Sequence, residues 1–159
     1  MSQQDDSAVP TKGRILAIDP GERRIGVAAA DLGLRVAIPL TTIEGGPDAV
    51  EAVARLVEEE GARALVVGLP LSLSGALGPQ AQRAQALTEA LADRLSIPVL
   101  TWDERLTSAE ARRRLSGGGG RRRRHKRDVD ALAAAIILQA YLDSQRPVGR
   151  PSGRQPAPG

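Results

Sequence analysis

The stretch RILAIDPGERRIGVAAAD, residues 14–31, sets two β-rich apolar runs on either side of the turn Pro20-Gly21-Glu22. Such a pair reads as an antiparallel hairpin, because Pro and Gly reverse the chain where the apolar pattern breaks. RVAIPLTTI, residues 35–43, follows as a third strand, and Pro39 within it marks an edge or a bulge. From residue 47 the pattern changes. PDAVEAVARLVEEE is apolar at positions 50, 53, 54 and 57, a helical stripe that Gly61 terminates. ALVVGLP (64–70) is a strand buried on both faces, and GPQAQRAQALTEALADRLS (78–96) is a helix with Pro79 near its start. IPVLTWDERL (97–106) is a fifth strand ending in acids. SAEARRRL (108–115) is a short helix capped by Ser108, and VDALAAAIILQAYLD (129–143) is a closing apolar helix. An antiparallel start followed by alternating helices and strands predicts an α/β fold: a mixed five-stranded sheet with helices on its faces.

That pattern fits one domain, residues 13–145, between a polar segment at 1–12 and a Pro- and Gly-rich one at 146–159, both expected to be disordered. GGGGRRRRHKR cannot pack into a core, so residues 116–127 are expected to form a mobile loop. No apolar run approaches the roughly 20 residues that span a bilayer, and the N-terminus lacks a signal peptide's apolar segment, so a cytoplasmic location is expected. Trp102 and Tyr141 are the only aromatic residues, too few for a module that stacks successive bases on rings. With no cysteine and only His125, disulfides, thiolate metal sites and a Ser-His-Asp triad are excluded or improbable.

The charge is unevenly spread. Residues 105–127 hold ten Arg or Lys against the single acid Glu110, while the remainder carries 12 basic and 18 acidic residues. A basic block on an acidic body points to a polyanionic partner; alternatively it is a solvated charge run.

Three acidic positions fall at the ends of elements. Asp19 ends the first strand, Asp103 and Glu104 end the fifth, and Asp128 and Asp130 open the last helix. Strand C-termini gather on one edge of such a sheet, where ligands bind. Carboxylates without histidine or cysteine form a hard-oxygen donor set suited to Mg²⁺ or Mn²⁺. Two such ions about 3.5–4 Å apart activate water and stabilise the leaving oxygen in phosphodiester cleavage. Plainer readings stand beside this one. Asp19 before Pro-Gly shapes a turn, Asp128 is an N-cap for the closing helix, and Asp130 offsets the helix dipole.

Together the stretches LAIDPGERRIGVAAAD, VVGLPLSLSGALGPQAQRA, WDERLTSAEARRRL and VDALAAAIILQAYLD resemble the YqgF/RuvX family of nucleases, with the same order and similar spacing over residues 14–143. The resemblance implies an RNase H-like fold with its first three strands antiparallel. It also implies divalent-metal nuclease chemistry, with two ions expected. By position it assigns the three site acids to Asp19, Glu104 and Asp130, with Asp103 and Asp128 as neighbouring candidates. Asp19 would bridge the ions. Period-two alternation lets only one of Asp103 and Glu104 face them. Gly21 and Gly26 would allow close backbone approach in the first hairpin. Gly68, Ser72, Ser74 and Gly75 would present donors to a phosphate or form a plain tight loop. Arg105 would contact the scissile phosphate or pair with Asp103. Arg112, Arg113, Arg121, Arg122, Arg123, Arg124, Lys126 and Arg127 would bind the nucleic-acid backbone without reading sequence.

The chain departs from the family's pattern in two places. Many members carry Asn-Met-Asp-Gly where Ser72, Leu73, Ser74 and Gly75 stand, and the Gly117–Gly120 and Arg121–Arg124 run is unusually arginine-rich, which a genomic bias toward arginine would also produce. Two substrates compete, precursor 16S ribosomal RNA trimmed at its 5′ end and four-way DNA junctions. Junction cleavage needs two coordinated cuts and so predicts a homodimer; trimming does not. The alternatives are a non-catalytic nucleic-acid-binding protein and, with only one lobe and one Asp-x-Gly available, a phosphotransferase lobe of the actin and sugar-kinase type.

Overall fold

The computed structural model describes residues 9–107, 113 and 126–145. β1 (Arg14–Pro20) and β2 (Arg24–Asp31) form the expected hairpin, and β3 (Val36–Glu44) adds to β2, all antiparallel. Helix α1 (Ala49–Glu60) precedes β4 (Ala62–Leu69), which pairs parallel with β1. Helix α2 (Pro79–Arg94) precedes β5 (Val99–Asp103), parallel to β4. The sheet order is β3-β2-β1-β4-β5. Helix α3 (Lys126–Ser144) closes the described chain.

Pro39 sits on edge strand β3 and also at a bulge. Thr41 opposes Val27 while Pro39 opposes Ala28, which leaves Leu40 as the extra residue. Both expected devices are present, and the missing proline N–H removes no inner ladder bond. Gly61 ends α1 in the left-handed region at φ 63°, its N–H donating to Glu58 O and Val57 O. Pro79 opens α2, where its absent N–H costs nothing.

Period-two alternation splits the core between the two sheet faces. Leu16, Ile18, Val27, Leu65, Val67 and Val99 point toward α1 and α2. Ile15, Ala17, Ala28, Ala30, Ala64 and Val66 meet Ala134, Ala135, Leu138 and Leu142 of α3. The α3 face is built largely from alanine, so helix and sheet approach closely. That closeness compensates for the missing bulk of phenylalanine. Buried Gln139 fastens α3 to β3, accepting from Ala37 N at 2.9 Å and donating to Arg35 O at 3.2 Å.

The fifth strand is shorter than its sequence suggests. It ends at Asp103, and Glu104–Leu106 form a single 3-10 turn. Asp128 lies within the first turn of α3, two residues past its start at Lys126, so it does not cap the helix. The expected helix at 108–115 falls outside the described residues apart from Arg113, which is exposed. Residues 1–8, 116–125 and 146–159, which hold most of the expected tails and basic loop, also lie outside them.

Candidate active site

The same alternation decides which side chains gather at the C-terminal edge of the sheet. Asp19 follows Ile15 and Ala17 on the α3 face of β1. Its partner on β2 is Gly26, and Arg24 lies two residues from Gly26 on that face. Gly68 follows Ala64 and Val66 on β4, and Leu100 and Trp102 mark the α3 face of β5. Continuing that series, Glu104 rather than Asp103 comes in beside Asp19.

Asp19 and Glu104 line a cavity of about 70 Å³ closed by Thr107, Ala133, Ile136 and Ile137. Burial pushes the Asp19 carboxyl up to about 8, helped by the charge of Glu104, a hydrogen bond with Glu104 and the charge of Asp130. Burial and a neighbouring like charge both disfavour the ionised carboxyl, so Asp19 holds its proton to higher pH.

Two glycines make this arrangement sterically feasible. A Cβ on Gly68 would stand 2.9 Å from Glu104 Oε2 and 2.7 Å from Ile137 Cδ1, so the carboxyl occupies space that only glycine leaves. A Cβ on Gly26 would overlap the Asp130 carbonyl oxygen. Gly26 thus serves the contact between β2 and α3 that brings Asp130 to the edge, rather than the hairpin itself. Gly21 is the hairpin glycine, its N–H donating to Arg24 O at 2.9 Å.

Asp130 is close enough to raise the Asp19 carboxyl, yet its Oδ2 accepts from Arg24 Nε at 2.7 Å. Among the described residues no three Asp, Glu or His side chains converge tightly enough to enclose a metal ion. Arg24 carries no signal in the linear sequence beyond its place in Arg23-Arg24; only the hairpin register reveals it. Thr107, whose hydroxyl accepts from Trp102 Nε1 at 3.2 Å, is a second residue the sequence does not mark.

Asp103 turns away from the cavity. Arg105 grips it with Nε at 3.0 and 3.1 Å and Nη2 at 2.6 Å, holding the Asp103 carboxyl below its usual range. Of the two readings of Arg105, the ion pair with Asp103 is the one formed. Its Nη1 also reaches Leu73 O at 3.3 Å and so braces the loop after β4. In that loop Ser72 Oγ lies 3.0 Å from Ser74 Oγ and accepts from Ala76 N, while Gly75, at φ +89°, donates its N–H to Ser72 O. The hydroxyls are engaged inside the loop, which carries an almost fully exposed Leu73. Arg112 and Arg121–Arg124 lie outside the described residues, and Lys126 and Arg127 open α3. A larger concavity of about 540 Å³ is lined by Leu69, Leu100, Trp102, Leu106 and Tyr141, with Asp103 at its wall.

The donor chemistry fits a hard divalent cation. Asp19 and Glu104 present carboxyl oxygens into one small cavity, and a divalent ion there would relieve the repulsion that raises the Asp19 carboxyl. Asp130, near enough for its charge to act on Asp19, adds a third carboxylate to the neighbourhood.

Residues 13–144 match the family model described as "RuvX: Holliday junction resolvase". A Chloroflexus aggregans protein named "Putative pre-16S rRNA nuclease" is 50% identical over 134 residues, covering 83% of this chain and 94% of that protein. One of the same name from Pelotomaculum thermopropionicum is 40% identical over 147 residues, covering 90% of this chain and 96% of its own. Among solved structures, Thermus thermophilus RuvC in complex with a Holliday junction substrate superposes with a TM-score of 0.53 at 18% identity, covering 83% of this chain and 94% of that one. That likeness shows the RNase H-like fold.

Proposed function

The chain belongs to the RuvX family of Holliday junction resolvases, and from that membership we propose that it is an endonuclease that hydrolyses phosphodiester bonds of structured nucleic acid with the help of divalent metal ions. The observation that carries the reading is the half-buried carboxyl pair of Asp19 and Glu104, which line one small cavity at the sheet edge. Asp19 and Glu104 would hold Mg²⁺ or Mn²⁺, with Asp130 as the third ligand and room for two ions once all three engage. A bound ion supplies Lewis-acid polarisation of the phosphate and a water nucleophile active near neutral pH. The chain's own residues do the rest. Gly68 keeps the Glu104 carboxyl seated, and Ala133, Ile136 and Ile137 exclude water from the α3 side of the pair. Asp103, Arg105 and Leu73 O lock the adjoining loop. The basic residues beyond Arg105, from Arg112 to Arg127, neutralise substrate phosphates.

The two substrates have separate support. Relatives at 40–50% identity carry the pre-16S rRNA nuclease name, which favours trimming of the ribosomal RNA precursor in the cytoplasm. The family description favours four-way junctions, and with them a homodimer that makes paired cuts. Labelled precursor RNA and labelled junction DNA, each with Mn²⁺ or with chelator, separate the readings. Metal-dependent cleavage of either by the wild type, lost in Asp19→Asn and Glu104→Gln, is expected. Cleavage that survives both substitutions contradicts the site, and binding without any cleavage favours a non-catalytic nucleic-acid-binding protein.

A further inference from the structure

Arg24 takes no part in that chemistry, yet its Nε stands 2.7 Å from Asp130 Oδ2, with both side chains about one-third exposed. The pairing is imposed by the backbone. Arg24 lies two residues along β2 from Gly26, and α3 is pressed onto Gly26 at the level of Asp130, so the guanidinium lies within reach of that carboxylate. Asp130 is thereby tied to the β2 side of the cleft, and among the described residues no three acids enclose a common point.

We propose that Arg24 is the resident counter-cation of the third acid, and that a divalent ion entering the site must displace it from Asp130 before all three carboxylates can ligate. The inference rests on the metal-dependent reading of the site. A guanidinium and a divalent cation at one carboxylate repel each other, most strongly where water is partly excluded. In the metal-free protein Arg24 offsets charge that would otherwise drive α3 away from β1 and β2. On metal entry its positive charge becomes the competitor. Arg24 is therefore a positioning residue that sets how much metal is needed to complete the site.

Calorimetric titration of the full-length protein with Mn²⁺ alone, without nucleic acid, tests this. Arg24→Gln should bind Mn²⁺ about two- to five-fold more tightly than wild type, the scale of one partly exposed charge pair. Arg24→Lys, which keeps the charge but loses the fork, should fall between the two and also guards against a misfolded glutamine variant. Melting in chelator should show both variants less stable than wild type, as expected when a counter-cation is removed or weakened. Unchanged or weaker Mn²⁺ binding by Arg24→Gln and Arg24→Lys would overturn the proposal, since it would mean that Arg24 supports the ligating position of Asp130. Mn²⁺ binding that Asp19→Asn leaves untouched would instead overturn the metal site itself.

Discussion

Asp19 shows how strongly one residue's meaning depends on its neighbours. In the sequence it reads equally as a turn former or as a ligand; in the fold its carboxyl lies with that of Glu104 in a small cavity walled by Ala133, Ile136 and Ile137. Its carboxyl is raised from 3.8 to about 8, so the folded protein holds the proton more tightly than the unfolded chain does. In chelator, that stabilisation is complete below the ordinary carboxylate range and is lost as pH rises through about 8. Chemical denaturation at a series of pH values should show wild type losing on the order of a few kcal/mol between about pH 5 and pH 9. Asp19→Asn should flatten that profile and be the more stable protein at the alkaline end, while losing cleavage. Glu104 is governed by Gly68 in the same local way. Gly68→Ala should cost about 1–3 kcal/mol in a melt and reduce cleavage, because the new methyl pushes on both Glu104 Oε2 and Ile137.

At the scale of elements, the packing of α3 against β1 and β2 determines whether a site exists at all. Gly26 admits the helix backbone at Asp130. Gly26→Ala should therefore be more damaging than Gly68→Ala, since the clash is with backbone rather than with side-chain ends; comparing the two melting temperatures checks the order. The strands, the two central helices and the closing helix are legible in the sequence because each carries an apolar period, most of them with a Gly or Pro stop. The end of β5 is not. A 3-10 turn at Glu104–Leu106 is too short to carry a period, so Glu104 reads as a strand residue in the sequence. Asp128 reads as an N-cap because the apolar stripe starts at Val129, whereas the helix begins at Lys126 with polar residues that give no stripe. Arg24 cannot be found from spacing alone, as its partner is 106 positions away and only the packing of α3 on β2 at Gly26 brings the two together.

Across the whole molecule, charge separates into an acidic body and a basic segment that adjoins the site at Arg105. Arg105 itself is committed to Asp103 and Leu73 O, so the proposed phosphate neutralisation would fall to the residues beyond it. Replacing Arg121–Arg124 with Ala should weaken nucleic-acid binding and flatten its salt dependence by about 0.7–0.9 for each phosphate no longer neutralised. Titrations at several salt concentrations measure that slope, and an unchanged slope would mean these arginines do not touch phosphate. The motifs in the sequence reach the fold and single out Asp19, Glu104 and Asp130; they do not reach the charge balance among those acids, which belongs to distances. That balance is most directly tested by anomalous diffraction from crystals soaked in Mn²⁺. An anomalous peak between the Asp19 and Glu104 carboxyls, with Asp130 drawn off Arg24, is the predicted result. Crystals soaked to saturation with no peak at that pair would refute the metal site.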